Sequence, residues 1–195
     1  KNAEVKRLYA NSNHTAGFTK PTVNSGAVSY ESDPASPVPY RTRPIEETYG
    51  VGSRWDSWLV EDQRFVSSRP DVVSFMADSL KENFTVTGNV TAHVMASTTA
   101  SDADFVVKLI DVYPDFDSKN ILMSNYELPV AMEVFRGRFR KNFERPEPLT
   151  PNKPESFVID LHQVNHTFLK GHRLMIQVQS TWFPIIDLNP QKYVH

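Results

Sequence analysis

Residues 84–97 read FTVTGNVTAHVMAS, a stretch in which small or apolar side chains take every second position from Val90 to Ala96. A period of two is that of a β-strand with one face on a core and the other in solvent. Gly88 interrupts the pattern, which indicates a bulge or bend within the strand. The stretch therefore predicts a long, half-buried strand.

The same alternation returns later in the chain, at Phe157, Ile159 and Leu161 and again at Leu174, Ile176 and Val178. Residues 105–113, FVVKLIDVY, are more continuously apolar and are followed by Pro114. That combination predicts a central strand that ends in a turn. Weaker strand candidates are residues 71–76, 121–126 and 132–140.

Helical signals are weak throughout the chain. No window longer than about ten residues holds a 3.6-residue repeat with caps at both ends, so a parallel α/β sheet is not expected. Residues 31–44 contain four prolines, which favour an extended loop. About eight short strands separated by long, proline-rich loops are typical of a sandwich. We therefore predict an all-β, jelly-roll β-sandwich.

Composition excludes several classes of partner. The 195 residues carry a formal net charge of -2, with a pI near 6.3, so no strong positive field would recruit nucleic acid. No apolar run approaches the roughly 20 residues of a membrane-spanning helix. The chain has no cysteine, and we expect no cofactor. Localisation is left open by the sequence, with a slight preference for the bacterial periplasm or secretion over the cytoplasm.

A serine nucleophile on the sharp elbow of an α/β-hydrolase requires glycine two positions before the serine. None of the seven glycines of this chain is followed by serine at that spacing. Triads are defined by geometry, so other serine arrangements stay open at this point. We assign no catalytic residue within the chain.

Metal-binding patterns are also weak. His162 and His166 have the i, i+4 spacing of helical metal ligands, and His172 follows them, but the segment lies between two strand patterns. We interpret these histidines as surface or hydrogen-bonded structural groups and expect no metal site. Residues 136–145 form a basic run interleaved with phenylalanine, in which some arginines are expected to contact acidic neighbours. We interpret it as a solvated or interdomain-pairing face rather than a nucleic-acid site.

Aromatic residues in loops supply the candidate binding residues. Trp55 and Trp58 lie in one loop-like region, Trp182 precedes Phe183-Pro184, and Tyr40 follows the proline-rich loop. Loop tryptophans are frequently contact residues, because a large apolar ring with one N–H suits both sugars and protein interfaces. The alternative is that these loops fold back on their own sandwich. We predict substrate contact at Tyr40, Trp55, Trp58 and Trp182.

Several stretches together, in order and at matching spacing, resemble the C-terminal domain of the X-prolyl dipeptidyl-peptidase and cocaine-esterase type of serine hydrolases. This group also includes α-amino-acid ester hydrolases and glutaryl acylases. The resemblance covers about Tyr30 to Pro190 and rests on residues 30–40 (YESDPASPVPY), 69–72 (RPDV), 80–88, 96–114 (ASTTASDADFVVKLIDVYP), 171–174 (GHRL) and 180–184 (STWFP), leading to Asn189-Pro190.

The resemblance implies a jelly roll similar to galactose-binding domains, which follows an α/β-hydrolase domain and a helical cap in the same polypeptide. The Ser-His-Asp triad of the family lies in that preceding domain. Residues 1–29 would form a strand at Val5–Tyr9 and a loop, and residues 30–195 the jelly roll. The family domain continues beyond its Asn-Pro segment, so we expect a final strand to be missing here, with an open edge that favours homo-oligomers.

Two functions follow from these observations. The leading hypothesis is a non-catalytic C-terminal module of a serine hydrolase, packed on the hydrolase domain and forming part of the substrate pocket wall. Its substrate, an X-Pro peptide, a β-lactam acyl group or a simple ester, is left open by the sequence. The alternative is an autonomous carbohydrate-binding module that uses the tryptophans. An oligomerisation domain is a weaker third hypothesis.

Overall fold

The computed structural model describes residues 4–22, 26–46 and 49–194. Their strands are β1 (Tyr9–Ala10), β2 (Thr15–Gly17), β3 (Val72–Ala77), β4 (Phe84–Ala96), β5 (Asp104–Val112), β6 (Glu127–Arg136), β7 (Glu155–Phe168) and β8 (Arg173–Gln179). Helical segments are short: the 3₁₀ helices Trp55–Val60, Ile121–Met123 and Gly137–Phe139, and the single turn α1 (Arg64–Ser67). Among the described residues, no helix has the length and apolar character needed to cross a bilayer.

The strands form two sheets that face each other. The larger has the order β1-β2-β3-β8-β5-β6 and is antiparallel except where β2 meets β3. The smaller sheet pairs β4 with β7 over almost their whole length. This arrangement confirms the prediction of an all-β sandwich.

The side chains at alternate positions of the strands point into the core between the sheets. On the smaller sheet, Val90, Ala92, Val94 and Ala96 of β4 point inward beside Phe157, Ile159 and Leu161 of β7. From the larger sheet, Phe105 and Val107 pack against them, and the rings of Phe105 and Phe157 lie 4.6 Å apart. The pairing of β4 with β7 shifts register between Asn89 and Thr91, next to Gly88. The predicted irregularity of β4 is therefore confirmed.

Strand β5 is buried at all nine of its residues. It lies between β8 and β6, which confirms that residues 105–113 predict a central strand. Its inward side chains reach the core, while Val106 and Ile110 lie on the opposite face of the sheet. That outer face is covered by residues 38–45, 55–66 and 182–186, which we call the covering layer.

The strand predicted at residues 121–126 is wrong. Ile121–Met123 is a 3₁₀ helix, and β6 begins at Glu127. Ile121 and Leu122 are largely exposed, so their apolar character does not mark a core face. Pro129 is tolerated within β6 because this strand lies at the edge of the sheet, and the register with β5 shifts between Leu109 and Ile110.

The predicted strand at residues 132–140 is correct only in its first half. β6 ends at Arg136, because the chain turns into a 3₁₀ helix at Gly137. Near the N-terminus, only Tyr9 of the predicted Val5–Tyr9 strand is in β1, where it pairs with Gly17 of β2. The first 29 residues thus contribute two short strands, β1 and β2, to the larger sheet. The proposed domain boundary after residue 29 stays a prediction.

Gly137 provides a test of how tightly β6 ends against the core. Its N–H donates to the Ala103 carbonyl at 2.8 Å, and an added Cβ would lie 2.7 Å from that oxygen. We expect Gly137→Ala to lower the free energy of unfolding by about 1–3 kcal/mol, because backbone must move to relieve the clash. Urea denaturation followed by circular dichroism measures this.

The matched control is Gly17→Ala, since an added Cβ at Gly17 meets no atom within 4 Å. We expect its free energy of unfolding to stay within about 0.5 kcal/mol of the wild-type value. Equal effects of the two substitutions would contradict the packing assigned to Gly137.

Candidate functional site

The four aromatic residues selected from the sequence meet in one cluster in the covering layer. The ring centroid of Trp58 lies 5.7 Å from those of Tyr40, Trp55 and Trp182. Trp55 and Trp58 lie on one 3₁₀ helix, Tyr40 belongs to the loop before it, and Trp182 follows β8. We call these four residues the aromatic cluster.

Backbone hydrogen bonds bring the distant segments of the cluster together. The N–H of Tyr40 donates to the Phe183 carbonyl at 3.0 Å, and the N–H of Phe183 donates to the Val38 carbonyl at 2.9 Å. The Arg41 guanidinium forms a two-point ion pair with the Glu61 carboxylate, directly after the 3₁₀ helix. The cluster is therefore held by main-chain and ionic contacts as well as by ring packing.

Accessibility divides the cluster into two parts. Tyr40 and Trp182 are 5% and 7% exposed and pack on Val106 of β5. Trp55 and Trp58 are half-buried and lie in the outer part of the cluster. Contact with a ligand stays a prediction for all four residues, but only Trp55 and Trp58 are partly exposed. Tyr40 and Trp182 support them from below.

A buried lysine lies under the cluster. Lys108 is fully buried at the middle of β5, and its Nζ donates to Gln63 Oε1 at 2.8 Å. The same Nζ lies 5.8 Å from the centroid of the Trp182 ring, within reach of a cation–π contact. Burial lowers the pKa of Lys108 to about 7.

Further polar contacts link α1 to the sheet around this lysine. The Ser67 hydroxyl donates to the Glu127 carboxylate and accepts from Gln177 Nε2 at 3.3 Å. The backbone N–H of Gln63 donates to the Glu127 carbonyl at 3.1 Å. Burial raises the pKa of the Glu127 carboxyl. The segment that carries the tryptophans is thus fastened to β5, β6 and β8.

Lys108 was not among the candidate residues identified from the sequence. The available signal was its position at the centre of the apolar run FVVKLIDVY, where a charged residue is unexpected. A lysine in a strand that is buried on both faces requires a polar partner, because an unpaired buried charge is very costly. Gln63, that partner, lies 45 residues earlier and cannot be identified from local pattern.

The histidines have the structural role predicted for them. His166 Nε2 and His172 Nδ1 each lie 2.8 Å from a different oxygen of the buried Asp111 carboxylate. This contact joins β7 of the smaller sheet to β5 of the larger one. His162 pairs with Glu133 at the surface. Within the described ranges, no group of three or more His, Cys, Asp or Glu residues is arranged to hold a metal ion.

Four basic residues of the run 136–145 form ion pairs with acidic neighbours, which confirms the expected contacts, while an interdomain role of this face stays a prediction. Arg136 pairs with Asp187 and Arg138 with the buried Asp102, while Arg140 Nε lies 2.6 Å from Glu155 Oε2. Lys141 pairs with Glu147. These charges hold the end of β6 and the following loop in place.

Comparison with known proteins identifies the family. The model of the X-Pro dipeptidyl-peptidase C-terminal non-catalytic domain matches residues 1–194. The chain belongs to this family. The resemblance found in the sequence is thereby confirmed, and the family is described as a non-catalytic domain.

Similar proteins are longer hydrolases. The domain is 32% identical over 178 residues to cocaine esterase of Rhodococcus sp. (strain MB1 Bresler), covering 90% of this chain and 28% of that protein. A crystal structure of an aminopeptidase from a marine sediment Thaumarchaeota archaeon matches 96% of the chain with a TM-score of 0.93 and 46% identity. An α-amino acid ester hydrolase matches 97% with a TM-score of 0.91 and 47% identity. The domain spans 31% of each of these two solved chains.

Lys108 provides a test of the buried contact beneath the aromatic cluster. The unfolded chain keeps the lysine proton up to about pH 10.5 and the folded domain only to about pH 7, so the unfolded state binds more protons between these values. The free energy of unfolding therefore rises with pH in this window, by at most about 1.4 kcal/mol per pH unit. Lys108→Met removes this rise.

Urea denaturation of the wild type and of Lys108→Met at about pH 7 and pH 9 measures the effect. We expect the difference between their free energies of unfolding to change by about 2 kcal/mol in favour of the wild type as the pH rises. Lys81→Met, at an exposed position, is the matched control. A pH dependence that is the same in all three proteins would refute the neutral-range titration of Lys108.

Proposed function

We propose that this domain packs on an α/β-hydrolase domain of the same polypeptide and forms part of the wall of its substrate pocket. Support comes from the lengths and names of the relatives, which are roughly three times as long and are called an esterase, an aminopeptidase and an ester hydrolase. The aromatic cluster is the observation that carries the wall function. Its outer rings, Trp55 and Trp58, stand on one fixed helix above a rigid sheet.

The chemistry of the whole protein would be acyl transfer to a serine. The serine oxygen attacks the substrate carbonyl, and an oxyanion hole stabilises the tetrahedral intermediate. The intermediate collapses to an acyl-serine ester as the protonated alcohol or amine leaves, and water then hydrolyses this ester to release the acid. All of these steps are proposed for the preceding domain. The part assigned to this domain is a wall of large apolar rings, which orients an acyl or peptide side chain and excludes water from it.

The alternative of an autonomous carbohydrate-binding module is less well supported. Sugar rings stack on open aromatic faces, whereas Trp182 is 7% exposed and lies edge-on to Trp58, with an interplanar angle of 64°. Trp55 and Trp58 are tilted by 35° to each other and do not form one flat surface. The cluster has the geometry of a packed wall rather than that of a stacking platform.

Hydrolytic activity is expected to reside in the preceding domain. We expect the full-length polypeptide to hydrolyse X-Pro peptide or acyl ester substrates, and replacement of the serine in its Gly-x-Ser-x-Gly segment by alanine to abolish this. The chain of residues 1–195, assayed alone with the same chromogenic esters and X-Pro anilides, is expected to be inactive. Hydrolysis by the isolated chain, or a full-length gene without such a serine, would overturn the proposal.

Removal of one outer ring of the aromatic cluster tests the pocket wall. In the full-length protein, we expect Trp55→Ala to lower kcat/KM by roughly 10-fold or more for substrates with a bulky apolar acyl group, and much less for acetyl esters. Trp55→Phe should recover most of the loss. Trp55 is chosen because the other rings of the cluster pack around Trp58, so its removal disturbs the fold least.

Phe143→Ala is the control, since this ring is 78% exposed and lies near Phe135 and Phe139, away from the cluster. Its kcat/KM should match that of the wild type for every substrate. An equal loss for bulky and small acyl groups in Trp55→Ala would argue against a wall function. Calorimetric binding of oligosaccharides that Trp55→Ala removes would instead favour the carbohydrate-binding alternative.

A further inference from the structure

Large apolar side chains are exposed together at one end of the sandwich. Two belong to the end of the 3₁₀ helix Trp55–Val60, and three to the loop between β5 and β6. Their exposed fractions range from 50% to 80%, and we call them the end patch: Leu59, Val60, Phe116, Ile121 and Leu122.

Hydrogen bonds join the two segments that carry the end patch. The Tyr126 hydroxyl donates to the Val60 carbonyl at 2.7 Å, and Arg64 Nη1 donates to the Ser124 carbonyl at 3.3 Å. Within the β5–β6 loop, the N–H of Asp117 donates to the Ser124 hydroxyl at 2.9 Å. The patch is therefore a surface with a defined shape, and its side chains do not belong to two unrelated loops.

Scattered apolar residues on a surface need no explanation, but a contiguous group of them marks an interaction site. The end patch also has the composition of an interface. Its large aliphatic and aromatic centre is bordered by charged groups, among them the Asp62–Arg64 ion pair, Asp115 and Lys119. An apolar centre with a polar rim is the usual anatomy of a protein–protein contact.

Resting on the proposed function, we propose that the end patch is the surface on which the hydrolase domain of the same polypeptide docks. Leu59 and Val60 follow Trp55 and Trp58 on a single 3₁₀ helix, so a domain whose pocket uses the tryptophans must also lie close to these two residues. The pocket wall and the end patch are then two parts of one contact, the first facing the substrate and the second holding the domains together.

The length of the relatives favours this occupant over a second copy of the chain. This domain spans only 31% of two solved proteins with which it shares 46% and 47% identity, so each of them has a large further part that is covalently attached. A tethered domain has an effective concentration in the millimolar range, which exceeds that of a free second molecule in most solutions. Docking within one polypeptide is therefore favoured over dimer formation.

The test uses the full-length protein with Ile121→Lys/Leu122→Lys. Lysine places a hydrated charge at the centre of the contact, while both residues are already largely exposed, so the sandwich itself should fold normally by circular dichroism. We expect the domains to separate, with calorimetric unfolding in two transitions instead of one. Limited proteolysis between the domains should become about tenfold faster, because cleavage follows the population of the open form.

Met95→Lys is the matched control, since Met95 and Ile121 are both 69% exposed and Met95 lies on β4, away from the end patch. It should behave as the wild type in both measurements. If an active hydrolase domain is present and the double variant also behaves as the wild type, the docking inference is wrong while the proposed function stands. If the gene encodes no hydrolase domain, both fail together.

Light scattering distinguishes docking of the hydrolase domain from binding of a second copy of the chain. A wild-type dimer that the double variant converts to a monomer, with domain unfolding still coupled, would assign the end patch to self-association and overturn the inference. A wild type and a double variant of the same molecular mass, with domain coupling lost only in the variant, would support it.

Discussion

Burial of β5 from both sides is the constraint on which the rest of this domain depends. Antiparallel sheets usually leave one face in water. Here the inner face of β5 meets the smaller sheet through Phe105 and Val107, and the outer face meets the covering layer through Val106. The hydrophobic core and the aromatic cluster are therefore built on opposite sides of the same strand. The geometry of the cluster depends on that of the sandwich.

Lys108 is the polar residue that this burial encloses at the centre of β5. A buried amine is less favourable than a methionine of similar volume if packing alone is considered. Its hydrogen bond to Gln63 Oε1, however, is directional, and it fixes where the segment before α1 lies on the sheet. An apolar side chain would remove this directional contact, although the contacts of the Gln63 backbone and of Ser67 with Glu127 would remain. Conformational specificity of the covering layer is thus a physical reason for a hydrogen-bond donor at the centre of β5.

The elements that the sequence predicted well are those with a local physical cause. Val90 and Phe157 fall on inward faces because a strand alternates, and residues 105–113 form the central strand because continuous apolarity requires two covered faces. The strand predicted at residues 121–126 is absent, since Ile121 and Leu122 point to the surface and do not mark a core face. The four candidate residues were selected because they are aromatic residues in loops, but the sequence did not predict that they pack together in one cluster. This packing depends on a pairing of Pro39 with Phe183, which no local pattern encodes.

The composition of the aromatic cluster has a spectroscopic consequence. Trp55, Trp58 and Trp182 are the three tryptophans of the chain, and each lies within contact distance of another. Intrinsic fluorescence of the isolated domain therefore comes from one locality on the outer face of the larger sheet. Energy exchange among neighbouring indoles makes that emission a collective signal. It reports detachment of the covering layer and is insensitive to fraying of β4 and β7, where no indole is present.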